Sequence, residues 1–125
     1  MQHYDPLIAP DAEEWLSLDE SEPLNLARAY HRRTRDRVPN LEAHAAVHAI
    51  VENQIALGDE IPVRRTVTRL MAEGLDRHDA IHAVGATLLG VMHDTTKAPG
   101  TGAEVNERYY AELEQLSAEG WRRSG

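Results

Sequence analysis

The chain contains no cysteine, no phenylalanine and no long run of apolar residues. Without cysteine it can form no disulfide, and it has no thiolate for metal binding or nucleophilic catalysis. No stretch approaches the roughly 20 apolar residues that a membrane-spanning helix needs. Aromatic residues make up only 5% of the 125 residues, so the core must come mainly from Leu, Ile, Val, Ala and Met. The length predicts a single domain with one modest core.

Basic charge is also scarce, with 13 Lys and Arg against 21 Asp and Glu and a formal net charge of -8. Nucleic acids and anionic membranes favour basic surfaces, so we expect neither as a partner. The one basic segment, "HRRTRDR" at 31–37, is interpreted as a solvated helix end. The first residues show no signal-peptide pattern, and we expect a cytoplasmic protein. The composition is compatible with a homo-oligomer and indicates no particular protein partner.

Helix signals recur along the chain, whereas strand signals are weak throughout. The pattern predicts an all-α fold, a single domain over residues 1–125 built as a bundle of five or six short helices. Residues 1–9 are expected to be flexible. The stretch "DTTKAPGTG", at 94–102, is rich in Pro, Gly and Thr and is predicted to be the loop before the C-terminal helix.

The helix boundaries are predicted from capping residues and from glycines that end helices. Caps are expected at Asp11, Asn40, Asp76 and Thr101. The first predicted helix begins at Asp11. The second begins at about Ser21 and ends near Arg35. The next three span 41–57, 62–73 and 77–93, and the last begins at Thr101. The side chains expected to face the core include Trp15, Leu16 and Leu18 in the first helix and Val63, Val67, Leu70 and Met71 in the fourth.

Two identical histidine spacings stand out in the sequence, "HAAVH" at 44–48 and "HDAIH" at 78–82. Residues four apart lie nearly above one another on a helix. When each segment is drawn as a helix, His44 and His48 fall in the middle of one apolar stripe, and His78 and His82 fall in the middle of another. Both pairs are therefore expected to point into the core.

The order of the helices is expected to bring the two pairs together. Short loops on both sides of the fourth helix favour an up-down-up arrangement, in which the third and fifth helices run parallel. Both pairs would then lie at the same end of the bundle, in one layer. Gly85, one turn beyond His82, would allow a neighbouring helix to approach closely.

Four converging imidazoles indicate a divalent transition-metal site, with zinc, iron or nickel as the candidate ions. The candidate ligands are His44, His48, His78 and His82, with Glu52 as a flanking fifth ligand or as a partner of a ligand. The ordinary alternative is that these are core histidines bonded to the backbone and to one another. The remaining histidines are weaker candidates, namely His3 in the flexible start, His31 beside the arginines and His93 about four turns away.

The stretches "HAAVHAIVENQ" and "RHDAIHAVGATL" resemble a family of small bacterial all-helical proteins that is known only as a domain of unknown function. Its pattern has two HxxxH motifs, the first followed closely by an acidic or amide residue and Gln. The matching positions are His44, His48, Glu52, Asn53, Gln54, His78 and His82. The resemblance covers about residues 41–90 and implies a helical fold without an established activity. Some members carry an acidic residue where this chain has Ala86.

Enzymatic alternatives are weighed on the residues beside the histidines. A zinc peptidase of the HExxH type needs Glu after its first histidine, where the second pair has Asp79. A metal-dependent phosphohydrolase is a stronger alternative, because His78-Asp79 and His93-Asp94 form two His-Asp doublets. Whether the protein is an enzyme stays open on the sequence, and no catalytic residue is assigned.

A third alternative needs no metal at all. A helical interaction or assembly module would present exposed aromatic residues, and Tyr110 and Trp121 are the candidates. Both side chains could equally cover the end of a helix. The sequence therefore favours a helical protein with a histidine metal site, and keeps the metal-free module as the alternative.

Overall fold

The computed structural model describes residues 1–34 and 40–124. Within those ranges the chain is helical and has no strand, which confirms the predicted all-α bundle. The helices are α1 (Ala12–Ser17), α2 (Glu22–Thr34), α3 (Leu41–Ala56), α4 (Val63–Ala72), α5 (Arg77–Lys97), α6 (Gly102–Gln115) and α7 (Ala118–Ser124). The predicted end of the second helix at Arg35 lies outside the described residues, as does most of the basic segment. No helix in the described ranges is long and apolar enough to cross a bilayer.

The four predicted N-terminal caps, and the predicted helix ends before Gly58 and Gly74, are confirmed by the structure. Side-chain oxygens accept hydrogen bonds from the backbone N–H three residues further on at Asp11, Asn40, Asp76 and Thr101. Gly58 and Gly74, which follow α3 and α4, have φ of 78° and 110°. Only glycine adopts such left-handed angles without strain, so both positions end the preceding helix cleanly.

Two apolar clusters make up the core. One joins α4, α5 and α6 to part of α3, and Leu70, Ile81 and Leu113 are among its fully buried members. The other joins the N-terminal segment, α1 and α2 to the opposite side of α3, around Tyr4 and Trp15. Because α3 contributes to both clusters, its side chains lie where the two halves of the bundle meet.

Two predicted core positions are wrong. Leu16 is 50% exposed and Met71 is 42% exposed. Successive residues on a helix differ by about 100° in direction, so in α1 the burial of Trp15 turns Leu16 outward. In α4 the buried stripe centres on Val63, Val67 and Leu70, and Met71 lies at its edge.

The predicted loop at 94–102 begins too early, because α5 continues to Lys97. The hydroxyls of Thr95 and Thr96 donate to the backbone carbonyls of Val91 and His93, so these threonines bond within the helix and do not end it. The last turns of α5 are further held by an ion pair between Asp94 and α6. The loop is thereby shortened to residues 98–101.

The N-terminal segment, which was expected to be flexible, is fastened to the bundle. Tyr4 is only 1% exposed. The guanidinium of Arg33 donates to the Tyr4 carbonyl at 2.9 Å, and that of Arg77 donates to the Pro6 carbonyl at 2.9 Å. The segment thus covers the region where α2, α3 and α5 approach one another.

Candidate metal centre

The four histidines of the two HxxxH pairs come together between α3 and α5. One ring nitrogen from each of His44, His48, His78 and His82 lies within 4.8 Å of those of the other three. The Nε2 atoms of His48 and His82 are 3.1 Å apart. His48 is fully buried and the other three are half-buried. The expected convergence of the two pairs in the interior is therefore confirmed.

The predicted parallel arrangement of α3 and α5 is wrong. Arg77, at the start of α5, contacts Glu52 near the end of α3, and Gly85, two turns later, reaches back to Val47. The two helices therefore run in opposite directions along their contact. The ring centroids agree with this, since His44 lies 4.6 Å from His82.

The starting point of α5 along α3 explains the difference. Glu52, which Arg77 contacts, lies four residues or about 6 Å before the end of α3, whereas α4 with its 10 residues is about 15 Å long. The chain therefore does not return along α3 before α5 begins. Accordingly α5 starts beside the second half of α3 and runs toward its beginning, which brings the two histidine pairs to one level.

Gly85 sets the distance between the two helices. A Cβ atom at this position would lie 2.4 Å from Cγ1 of Val47, well inside van der Waals contact. Only a residue without a side chain allows α3 and α5 to come this close. Since Gly85 lies one turn after His82, the close approach predicted from the sequence also brings that imidazole to its partners.

A fifth histidine, His31 of α2, belongs to the same cluster. It is 1% exposed, and its ring centroid lies 4.7 Å from that of His44 and 5.0 Å from that of His48. Its Nδ1–H donates to the Ala27 carbonyl at 2.7 Å, so the neutral ring carries its lone pair on Nε2. Among the described residues, this buried Nε2 has no hydrogen-bond partner.

In the sequence, His31 is a weak candidate because arginines follow it. One signal pointed the other way, because His31 lies four residues after Ala27 and seven after Leu24. That spacing puts all three on one helical face, and Ala27 and His31 are both buried. The helical period was more informative here than the neighbouring charges.

A buried chain of side chains supports His48 from behind. Arg77 donates two hydrogen bonds of 2.7 Å to the two oxygens of Glu52. The Tyr4 hydroxyl donates to Glu52 Oε2 at 2.6 Å and lies 3.1 Å from His48 Nδ1. Because its single proton is used by Glu52, the Tyr4 oxygen accepts from His48 Nδ1–H. His48 therefore presents an Nε2 lone pair to His82.

The electrostatic environment keeps these side chains in the protonation states that their hydrogen bonds require. Burial, and then the neighbouring histidines led by His82, lower the pKa of His48 to about 2. Burial and the charge of Glu52 raise the pKa of Tyr4 above its usual value, so it stays a hydrogen-bond donor. Burial by itself would lower the pKa of Arg77, but its hydrogen bonds to Glu52 and the negative charge of Glu52 raise that pKa overall.

Glu52 does not lie among the converging ligand atoms. Its two oxygens accept the hydrogen bonds of Arg77 and Tyr4, so it acts on the histidines through Tyr4. Tyr4 and Arg77 are not among the site residues predicted from the sequence. A signal for Arg77 existed, because a cation in the first turn of a helix meets the positive end of the helix dipole and needs an acidic partner.

Three consecutive polar residues of α3 tie this helix to different parts of the chain. Glu52 binds Arg77 of α5, as described above. Asn53 accepts a 2.6 Å hydrogen bond from the Trp15 indole of α1, and Gln54 accepts one of 2.7 Å from the Tyr109 hydroxyl of α6. The segment "ENQ" that follows the first HxxxH motif therefore fixes the position of α3 within the bundle.

The remaining candidates from the sequence lie outside the cluster. Asp79 is exposed in the first turn of α5, where its backbone N–H is capped by Asp76. Asp94 pairs with Arg108. His3 and His93 are exposed. The two His-Asp doublets therefore bring no aspartate to the imidazoles.

A pocket of about 330 Å³ opens next to the cluster, between the first half of α3 and the middle of α5. His44 and His82 form one part of its lining, and Trp121 of α7 closes another. Trp121 is half-buried, as is Tyr110, which packs against the main core cluster. The two aromatic residues proposed for partner binding are thus both partly used within the fold.

Comparisons with models of known protein families, with curated proteins and with solved structures found no match to this chain. The resemblance to the bacterial proteins with two HxxxH motifs therefore stays a prediction.

Proposed function

We propose that this protein binds a divalent transition-metal ion through His44, His48, His78 and His82. The observation that carries the proposal is the grouping of their ligand nitrogens within 4.8 Å, from two helices and in the interior. Mutual hydrogen bonds satisfy imidazole nitrogens only in pairs, because each bond needs one N–H and one lone pair. A metal ion accepts lone pairs from all four rings at once, which suits a compact group better.

The support behind His48 favours ligation as well. Histidines that bind metals characteristically donate their second ring N–H to a carboxylate, a carbonyl or another acceptor, which fixes the ring and raises its basicity. His48 donates to Tyr4, which is held by Glu52. His31 donates to a backbone carbonyl, and its Nε2 lone pair makes it a candidate additional ligand.

The nitrogen spacing suits a first-row transition metal. Two ligands at 2.0–2.1 Å from zinc in tetrahedral geometry lie about 3.3 Å apart, and the 3.1 Å between His48 and His82 is close to this value. The widest separation in the group, 4.8 Å, is larger. Metal binding is therefore expected to draw the half-buried rings inward by rotation of their side chains.

A set of neutral nitrogen ligands favours zinc, iron or nickel, all of which imidazole binds well. We propose zinc as the first candidate, because the paired nitrogens approach a tetrahedral spacing. With no thiolate or carboxylate in the group, the ion keeps its full double positive charge. The site is thus suited to attract an anionic ligand.

We further propose that the chain belongs to the bacterial family with two HxxxH motifs, and that it acts in the cytoplasm. The support for the first point is that the motif histidines are the ones that converge, and that the residues after the first motif hold α3 in place. A phosphohydrolase is not supported, since Asp79 and Asp94 both lie away from the imidazoles.

The test is elemental analysis of protein purified without a polyhistidine tag. We expect close to one transition-metal ion per chain in the wild type. The double variant His78→Ala/His82→Ala should lose it, whereas His93→Ala, an exposed histidine of the same helix, should retain it. Circular dichroism confirms that each variant is folded.

Substitution with Co²⁺ adds a spectroscopic readout, because imidazole ligation gives visible absorption whose intensity reports the geometry. The proposal fails if the folded wild type binds no metal in stoichiometric amount. It also fails if the double variant binds as much metal as His93→Ala. Either result would leave the metal-free interaction module as the better account.

A further inference from the structure

The pocket beside the histidines has a composition that the metal proposal alone does not explain. Two of the four candidate ligands, His44 and His82, line it, so any molecule in the pocket touches the cluster directly. The fully buried His48 is not among the lining residues. An ion held by the four rings would therefore be reached through the pocket, from the side of His44 and His82.

The walls of this pocket are apolar. Val47, Leu89 and Trp121 supply the larger surfaces, and Gly85 leaves part of the wall without a side chain. Apart from the histidines, the polar side chain in the lining is that of Asn40, whose oxygen is already used as the cap of α3. Among the described residues that line the pocket, none is a lysine, arginine, aspartate or glutamate.

The balance of charge restricts what can bind here. Four neutral imidazoles and a divalent ion give the centre a charge of about +2. Glu52 and Arg77, which lie behind His48, form a buried pair that neutralises itself. An anionic group on the metal is therefore favoured, while a ligand with further charges would find no partner on the apolar walls.

The size of the pocket sets the scale of the ligand. At about 30 Å³ for each water-sized group, 330 Å³ holds roughly ten non-hydrogen atoms. This is the lower end of the range for small-molecule sites, which are typically apolar with a few polar groups at one end. The lining has that arrangement, with imidazoles at one part and aliphatic and indole surfaces elsewhere.

We propose that this pocket binds a small monocarboxylate with an apolar body. The carboxylate occupies a coordination position on the metal beside His44 and His82, and the apolar part lies against Leu89 and Trp121. This inference rests on the metal site proposed above. It distinguishes the site from one for phosphorylated ligands, whose additional charges would need cationic side chains.

The experiment titrates Co²⁺-loaded protein with acetate, hexanoate and inorganic phosphate, and follows the visible spectrum and the heat of binding. Each methylene buried in the pocket should tighten binding roughly fourfold. Because the pocket is partly open to solvent, we expect hexanoate to bind at least tenfold more tightly than acetate. Both carboxylates should change the cobalt spectrum, and phosphate should bind more weakly than hexanoate.

Two variants fill the pocket without replacing a candidate ligand. Ala86→Leu and Ala43→Leu, on opposite walls, should each remove the advantage of hexanoate over acetate while the metal content stays at the wild-type level. The matched control is Ala111→Leu, an exposed alanine in α6, which should keep that advantage. The second blocking variant keeps the test decisive if the first one fails to fold.

The outcomes separate the two proposals. If the protein takes up cobalt but binds acetate and hexanoate equally, or prefers phosphate, the pocket proposal is overturned and the metal site stands. The pocket proposal is also overturned if hexanoate leaves the cobalt spectrum unchanged. If the wild type takes up no cobalt or zinc, the metal site itself is refuted and the carboxylate proposal with it.

Discussion

The Tyr4 hydroxyl offers the sharpest test of how the cluster is supported, because it connects the Glu52–Arg77 ion pair to His48. The substitution Tyr4→Phe removes a single oxygen and leaves the ring in its contacts, such as that with Trp15 at 5.6 Å between centroids. Glu52 keeps both hydrogen bonds from Arg77. The main loss is the acceptor for His48 Nδ1–H, which is fully buried.

The expected magnitudes follow from these contacts. A buried donor left without its partner costs about 1–3 kcal/mol, so the metal-free protein should lose that much stability. Loss of a group that supports a metal ligand typically weakens metal binding about 10–100-fold, which is about 1.4–2.7 kcal/mol. At saturating metal, the holo-protein should therefore lose more stability than the metal-free protein does. The difference between the two losses should equal the free energy lost from metal binding, about 1.4–2.7 kcal/mol.

The assay is urea denaturation of wild type and variant, with and without saturating Zn²⁺, together with competition titrations that give the metal affinity. The matched control is Tyr109→Phe, which removes a 2.7 Å hydrogen bond to Gln54 from another buried tyrosine. It should destabilise both forms equally and leave the affinity unchanged. If Tyr4→Phe also costs the same in both forms, the hydroxyl does not support a metal ligand, and our account of His48 is refuted.

Three further predictions concern the close contact between α3 and α5, the stability of the protein at low pH, and the buried Glu52–Arg77 ion pair. Gly85→Ala should lower the free energy of unfolding by about 1–3 kcal/mol through overpacking. Val47→Ala should restore much of this loss in the double variant. If thermal unfolding shows that the two losses simply add, the 2.4 Å approach is contradicted. Below pH 6.5 the unfolded chain takes up a proton at His48 that the native state, with a pKa of about 2, excludes. The metal-free protein should therefore lose about 1.4 kcal/mol per pH unit from this ring as the pH falls below about 6.5, and His48→Gln should flatten the stability curve measured by denaturation. Arg77→Met should lower the free energy of unfolding by about 3–5 kcal/mol, because it leaves the Glu52 carboxylate buried without its cation. The double variant Arg77→Met/Glu52→Gln should be more stable than Arg77→Met alone. An equal loss of stability in both variants would argue against the buried ion pair.

Much of the local structure could be read from the sequence because its causes are local. The caps at Asn40 and Asp76 depend on side chains three residues from the N–H groups that they bind, and the helical period puts His44 and His48 on one buried face. The convergence of the two pairs was also predicted, since an apolar stripe must face the core. Its predicted cause, a parallel pair of helices, was wrong.

The sequence alone therefore determined helices α1 to α6, most of their ends, and the inward direction of the four paired histidines, whereas the separate helix α7 was not predicted. Only the tertiary structure decided that α3 and α5 run in opposite directions, that His31 joins the cluster, and that Tyr4 and Arg77 connect Glu52 to His48. Helix propensity and capping act over a few residues, whereas these contacts join positions between 13 and 48 residues apart along the chain. Such contacts depend on how far each connecting segment reaches and on which buried polar groups need a partner, and neither is expressed in the pattern of any single helix.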